Sequence, residues 1–192
     1  MKKTIIILFL GLLIASCSDK KEQLAGETGY MEVSSGDTEL RMHERLLFYD
    51  GKLFTGKVTE QNNGRIVSVK TYRNGNPDGL HVTYYPCGSI REERYFENGL
   101  KSGEHKGWWE NGKLKFVYHY KNDEFNGSVK VWNESGMLFN DFNYVNGKED
   151  GLQKAWTSNG EIQANYVVKG NRKYGITGVK DCRTELPQYT GK

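Results

Sequence analysis

A glycine returns in this chain at a nearly constant interval. Gly56, Gly79, Gly103, Gly127, Gly151 and Gly175 are separated by 23, 24, 24, 24 and 24 residues. A second glycine follows each of the first five, at Gly64, Gly88, Gly112, Gly136 and Gly160, and a third turn residue follows that, at Gly75, Gly99, Asp123, Gly147 and Gly170. In the first unit the second glycine comes eight residues on instead of nine, which accounts for the single spacing of 23. A fixed period in the twenties means one supersecondary unit stacked on copies of itself. No arrangement of unrelated elements satisfies that constraint.

The unit is two strands. After the second glycine, apolar residues alternate with polar ones: Leu114, Phe116, Tyr118 and Tyr120, then Leu138, Phe142 and Tyr144, then Ile162, Ala164, Tyr166 and Val168. Period two is a strand with one covered face. Asp141, Asn143, Gln163 and Asn165 fall on the other face. Composition agrees: 23 Gly, 12 Tyr and 4 Trp against 3 Pro favour turns and strands over helices. Glu110-Asn111-Gly112 and Ser158-Asn159-Gly160 read as three-residue hairpin loops that end on a glycine at positive φ. That register sets Trp108 opposite Leu114, Trp132 opposite Leu138 and Trp156 opposite Ile162. The return connections, such as 146–151, are longer and carry two glycines.

The expected fold is therefore all-β. It is an elongated antiparallel β-meander of about five 24-residue hairpin repeats in a single twisted sheet, every strand antiparallel to its neighbour. Ten or eleven strands at ~4.8 Å make a sheet some 50 Å long. Open, uniform units favour this form over a closed barrel.

The ends differ. Lys2 and Lys3 precede an apolar run from Ile5 to Ile14, too short to span a ~30 Å hydrocarbon layer as a helix. Ile14-Ala15-Ser16-Cys17 then resembles the lipobox of bacterial lipoproteins, which implies cleavage before Cys17 and lipidation at that residue. The expected organisation is a signal peptide over 1–16, the lipidated Cys17 with a polar tether to 29, a capping segment over 30–52, the repeat array over 53–178, and a tail over 179–192. In the cap, Leu46 to Gly51 reads as half a unit, one strand and a turn, placed to cover the first edge. Gly175 reads as the start of a sixth, incomplete unit.

Tyr72-Arg73-Asn74-Gly75-Asn76-Pro77-Asp78-Gly79 and Tyr144-Val145-Asn146-Gly147-Lys148-Glu149-Asp150-Gly151 resemble the bacterial variant of the MORN (membrane occupation and recognition nexus) repeat. Phe54-Thr55-Gly56-Lys57-Val58 is similar to the opening segment of the MORN-variant proteins called YwqK-family antitoxins. The resemblance covers about residues 46–175. It implies an all-β repeat scaffold with roles in protein or lipid contact. The departures are Asp123 in place of glycine, no aromatic at the fifth position of the first unit, and Val168 where earlier units carry Phe or Tyr.

Little in the chain is set up for chemistry. The net charge of +3, with both signs interspersed, is no polyanion-binding signature. His81 and His105 hold the same place in successive units and read as two strand-surface histidines; a metal between them would want further ligands. His43 and His119 are isolated, and no metal or cofactor is expected. Cys87 replaces the turn Asn of other units, at an exposed tip, where it is free or paired with Cys182 or with another molecule. Arg91, Glu92, Glu93, Arg94 and Glu97 read as a solvated charged strand. No nucleophile–base set and no phosphate loop stand out, so an enzyme and a small-molecule substrate are not expected. The candidate binding surface is an aromatic stripe of Tyr84, Tyr85, Trp108, Trp109, Trp132 and Trp156, either covering the sheet itself or meeting a partner. The functional expectation is a non-enzymatic, lipid-anchored bacterial envelope protein, in the inner or outer membrane, with a protein-binding scaffold. Two alternatives stay open: an antitoxin or immunity-type inhibitor, and direct lipid binding by the repeats.

Overall fold

The computed structural model describes residues 30–178. The expected signal peptide, Cys17, the tether, Cys182 and the tail lie outside them. The described chain is β-strand throughout, with no helix. Five units begin at Gly56, Gly79, Gly103, Gly127 and Gly151. Unit 1 holds β5 (Gly56–Asn62) and β6 (Arg65–Arg73); unit 2, β8 (Gly79–Tyr84) and β9 (Ile90–Glu97); unit 3, β11 (Gly103–Trp108) and β12 (Leu114–Lys121). Unit 4 holds β13 (Glu124–Trp132) and β14 (Leu138–Val145), and unit 5 holds β16 (Gly151–Trp156) and β17 (Ile162–Lys169). β18 (Arg172–Ile176) follows. Short arms β7 (Asn76–Pro77), β10 (Leu100–Lys101) and β15 (Lys148–Glu149) fold back on β6, β9 and β14. The N-terminal elements are β1 (Met31–Ser34), β2 (Leu40–His43), β3 (Leu46–Tyr49) and β4 (Lys52–Leu53).

The main sheet is an open meander. Its path runs β1-β5-β6-β8-β9-β11-β12-β13-β14-β16-β17-β18, so β1 and β18 stand at opposite ends. Three features depart from expectation. The path has twelve strands, because β1 and β18 extend the array at both ends. β1 runs parallel to β5, pairing Met31 with Gly56 and Val33 with Val58. Residues 35–55 form the long crossover that a parallel pair requires. Within that crossover β2, β3 and β4 pair as a separate three-stranded sheet. The half unit at 46–51 is present, but β1, not β3, covers the edge of the main sheet. β3 instead sits against the first return turn: Leu47 N–H donates to the Gly75 carbonyl, and Leu47, Phe54, Val33, Val58 and Tyr72 form one buried cluster.

The hairpin tips follow the sequence. Trp109 N–H donates to Lys113 O at 2.8 Å and Gly112 N–H to Trp109 O at 2.9 Å, with Gly112 at φ 80°. The tips at 85–89, 133–137 and 157–161 repeat both bonds. Trp108 pairs with Leu114, Trp132 with Leu138 and Trp156 with Ile162, as the spacing requires. Unit 1 has a two-residue loop instead: Asn62 pairs with Arg65, and Asn63 and Gly64 both have positive φ, the type I′ form. That missing loop residue is the origin of the 23.

The return connections are tighter than expected. Asn74-Gly75, Asn98-Gly99, Asn122-Asp123 and Asn146-Gly147 are two-residue type I′ turns, with φ of 46–50° at Asn and 67–86° at its successor. Asp123 holds φ 67° without being glycine, and its Oδ1 accepts the Lys101 N–H at 2.7 Å. Each turn is followed by two residues that pair back on the same strand. The chain then slips by two residues before the next full strand: Tyr72↔Pro77 is followed by Val69↔Val82, and Tyr144↔Glu149 by Asp141↔Lys154. The inserted pair ends in the repeat's first glycine, for example Asp78-Gly79, where φ of 92° excludes most other residues.

Directly paired residues share a face. One face carries Val58, His81, His105, Val129 and Gln153 from the first strands, with Tyr72, Phe96, Tyr118, Tyr120, Phe142, Tyr144 and Tyr166 from the second. No second layer covers units 2 to 5 among the described residues. The face covers itself: large rings of one strand lie over small residues of its partner. Gly107 shows why. A Cβ there would sit 2.2 Å from the Phe116 ring.

Candidate binding surface

Along the return side of that face runs a continuous line of rings. Tyr49, Phe54, Tyr72, His81, Phe96, His105, Tyr120, Phe125 and Tyr144 follow one another with centroids 4.6–6.3 Å apart. Offset and tilted rings at this spacing attract beyond their area burial. This spine was not expected from the tryptophans, which lie at the other side of the sheet. It sits where the return turns crowd, so the residue two after each first glycine is buried in every unit: Val58, His81, His105, Val129 and Gln153.

His81 and His105 are therefore core residues, contrary to the surface reading. The two-residue slip frees a backbone carbonyl in the preceding strand, and the buried side chain reaches it. His81 Nε2 lies 2.7 Å from Thr71 O, His105 Nε2 lies 2.7 Å from Tyr95 O, and Gln153 Nε2 donates to Asn143 O at 2.8 Å. The acceptors hold the same position in units 1, 2 and 4. Desolvation pushes both histidines below the usual imidazole pKa. The carbonyl contacts only partly oppose it, and the cations Lys70 (for His81) and Arg94 and Lys101 (for His105) push the same way. Each Nε2 then carries the proton, and His105 Nδ1 is buried without a partner. Desolvation likewise holds Tyr72, Tyr118, Tyr120, Tyr144 and Tyr166 above the usual phenol range. The signal in the sequence was present: a bonding side chain at one fixed place in three units.

The six candidate aromatics are half-buried at the tip side. Tyr84, Trp108, Trp132 and Trp156 hold one repeat position and pair with Ile90, Leu114, Leu138 and Ile162. Tyr85 and Trp109 hold the next. The Tyr85 hydroxyl donates to Trp108 O at 2.8 Å, and Trp109 Nε1 to Trp132 O at 3.2 Å, each clasping the following unit. Lys115 Nζ lies 4.5 Å from the Trp109 ring centre. Their edges remain accessible, but two of the six are also clamps between repeats.

The opposite face is polar and ion-paired. Lys106 meets Glu104, Lys130 meets Asp141 at 3.3 Å, and His119 Nε2 lies 3.6 Å from Glu104. Apolar residues stay exposed at its two ends, Leu80 beside Tyr95 and Leu152 near Tyr174. Arg94 binds Glu92 at 2.8 Å on the spine face, so the charged strand is tied within itself. Cys87 is exposed and free at its tip, with its Sγ 3.0 Å from Ser89 Oγ, and that contact lowers its thiol pKa. Among the described residues no three His, Cys, Asp or Glu side chains group for a metal.

With that geometry in place, the family comparison is specific. The MORN repeat variant model matches residues 101–122, the stretch from the end of β10 through β11 and β12 to the next return turn. It contains His105, Gly107, Trp108, Phe116 and Tyr120 of unit 3. A comparison with curated proteins gives no match. Residues 101–122 are thus similar to the MORN repeat variant, and the chain folds as an all-β repeat array.

Proposed function

We propose that this chain is a non-enzymatic, lipid-anchored protein of a bacterial cell envelope whose array holds a protein partner. The observation that carries the reading is the open twelve-strand sheet, whose units 2 to 5 have no second layer among the described residues and so offer two extended faces. The buried histidines support a non-catalytic role, since both spend a ring nitrogen on a backbone carbonyl. Tip aromatics with accessible edges and exposed Leu80 and Tyr95 supply the apolar contact that partner surfaces use. The lipobox-like Ile14-Ala15-Ser16-Cys17 supports the anchor.

Cross-linking and pull-down from membranes tests the reading, with Cys17→Ala as the unanchored control. The expected result is one protein recovered with the wild type and lost with Trp108→Ala/Trp132→Ala. Recovery of no partner across growth conditions overturns it. Two other results redirect it: rescue of growth against a toxin supports an inhibitor, and co-sedimentation of Cys17→Ala with vesicles supports direct lipid binding.

A further inference from the structure

The return turns are tied to one another by a second ladder, separate from the strand pairing. In each case the second residue of the turn donates its N–H to a carbonyl in the arm before it. Gly75 donates to Phe54 O at 2.8 Å, Gly99 to Pro77 O at 2.8 Å, Asp123 to Lys101 O at 3.0 Å and Gly147 to Phe125 O at 2.9 Å. The first residue of three of these turns adds a bond to the next side chain. Asn74 N–H donates to Thr55 Oγ1, Asn98 N–H to Asp78 Oδ2 and Asn146 N–H to Asn126 Oδ1. Four seats are thus filled by Asn-led turns, each through a carbonyl and three of them also through the side-chain oxygen of the residue after it.

The fifth seat is built and, among the described residues, unfilled. By position it is the Glu149 carbonyl with the Asp150 carboxylate. Val145↔Lys148 closes the two-residue turn, so Tyr144↔Glu149 is the non-hydrogen-bonded pair of the arm and the Glu149 carbonyl points away from β14, as Phe125 O does. The following turn does not bond to it. Gly170-Asn171 reverses the order of residues, and only Gly170 has positive φ. β17 and β18 then pair straight from Lys169↔Arg172 to Asn165↔Ile176 with no slip. The result is a groove of about 610 Å³ between the two turns, lined by Val145, Glu149, Asp150, Val168 and Lys173 among others. Its wall is braced: Glu149 holds Lys173 at 2.7 Å and the Tyr166 hydroxyl at 3.0 Å. Asp150 has no cationic partner among the described residues.

Among the described residues, one turn of the fitting kind has no seat. Asn63-Gly64 is a type I′ Asn-Gly turn with φ of 49° and 74°, matching the turns that fill the other four. It is exposed at the tip of unit 1, nothing lies within 4 Å of a Cβ at Gly64, and Arg65 flanks it. Asp50-Gly51 has similar φ values, but its Asp50 N–H is already bound to Glu39 O, and its carboxylate would face Asp150.

We infer that the Glu149–Asp150 seat takes the Asn63-Gly64 turn of a second copy of this chain, so that copies join head to tail. The contact is heterologous, so it propagates unless the rotation closes. A single turn in a groove is far below standard interface size, so the link is weak in solution and works among copies held close together. It goes beyond the partner reading above and stands apart from it: self-association and capture of another protein are separate readouts.

Sedimentation velocity of the full chain carrying Cys17→Ala, across roughly 0.01–1 mM, tests it. The expected result is concentration-dependent growth beyond a monomer. Asn63→Asp keeps an Asp-Gly turn but sets a carboxylate against Asp150, and should weaken association at least about tenfold. Adding Asp150→Asn to Asn63→Asp should restore it. Thermal melts of all forms should coincide, which separates lost contact from lost fold. A monomer throughout the range overturns the inference, as does association indifferent to Asn63→Asp. Association that appears only after truncation at residue 178 also overturns it, since the chain's own C-terminal residues then fill the seat.

Discussion

The two sides of this sheet are built by different means. At the return side, type I′ turns bond to each other through backbone, and a line of rings with two buried histidines packs beneath them. At the tip side, three-residue loops face solvent, and neighbours are joined mainly through side chains, Tyr85 to Trp108 O, Trp109 to Trp132 O and Asn111 to Glu134 O. The return turns repeat Asn-Gly nearly unchanged, whereas the tips read Pro86-Cys87-Gly88, Glu110-Asn111-Gly112, Glu134-Ser135-Gly136 and Ser158-Asn159-Gly160. The contrast teaches that coherence between units is carried on one side, which frees the other to vary.

The largest test of that division is Tyr72→Ala. The ring is buried between Phe54 and His81, and its loss should cost about 3 kcal/mol in urea unfolding. Glu134→Ala at a tip should stay within about 0.5 kcal/mol, and equal losses at both would erase the distinction.

Acid should act on the return side. His81 and His105 have folded-state pKa values below the unfolded value of about 6.5. The unfolded chain therefore binds more protons as pH falls. Their contribution is intact above about pH 6.5 and is lost below it, at no more than about 1.4 kcal/mol per pH unit for each histidine. His81→Gln/His105→Gln imitates Gln153 and should flatten the stability profile between pH 7 and 5. An unchanged slope would place the acid sensitivity elsewhere.

Gly99→Ala strains φ of 86° and brings a Cβ to 3.0 Å from Asn76 Oδ1, for an expected loss of about 1–2 kcal/mol by thermal melt. A smaller effect than at Gly99 belongs to Trp109→Phe, which keeps a ring and removes the donor to Trp132 O. About 1 kcal/mol or less is expected, and a larger loss would make the tip clasps as important as the turn ladder.

Much of this was legible in the residues, and what escaped has a common cause. The 24-residue spacing, the alternation of Phe116, Tyr118 and Tyr120, and the loop at 110–112 report local geometry, and all three predict the meander. The pairing of Trp108 with Leu114 follows from loop length alone. The burial of His105 does not, because it depends on a two-residue slip that frees the Tyr95 carbonyl in a neighbouring unit. Periodicity counts residues along one strand and is blind to slips between strands. The parallel β1 escaped for the same reason: Met31 and Gly56 are far apart in sequence, and the short stretch at 31–34 has no periodicity of its own. The tip aromatics were found by position, yet nothing in position reveals that Tyr85 and Trp109 also bond across units.

Because β1 and β18 close opposite ends of one meander, a pull applied between them would run across the strands. Each hairpin then meets the load as a zip, its hydrogen bonds opened in turn and not sheared together. A released 24-residue unit lengthens the chain by roughly 80 Å, and the turn ladder at 74–75, 98–99, 122–123 and 146–147 marks where each release should pause. Such a molecule yields in steps and can re-form in steps, acting as an extensible link between whatever is fixed at its two ends.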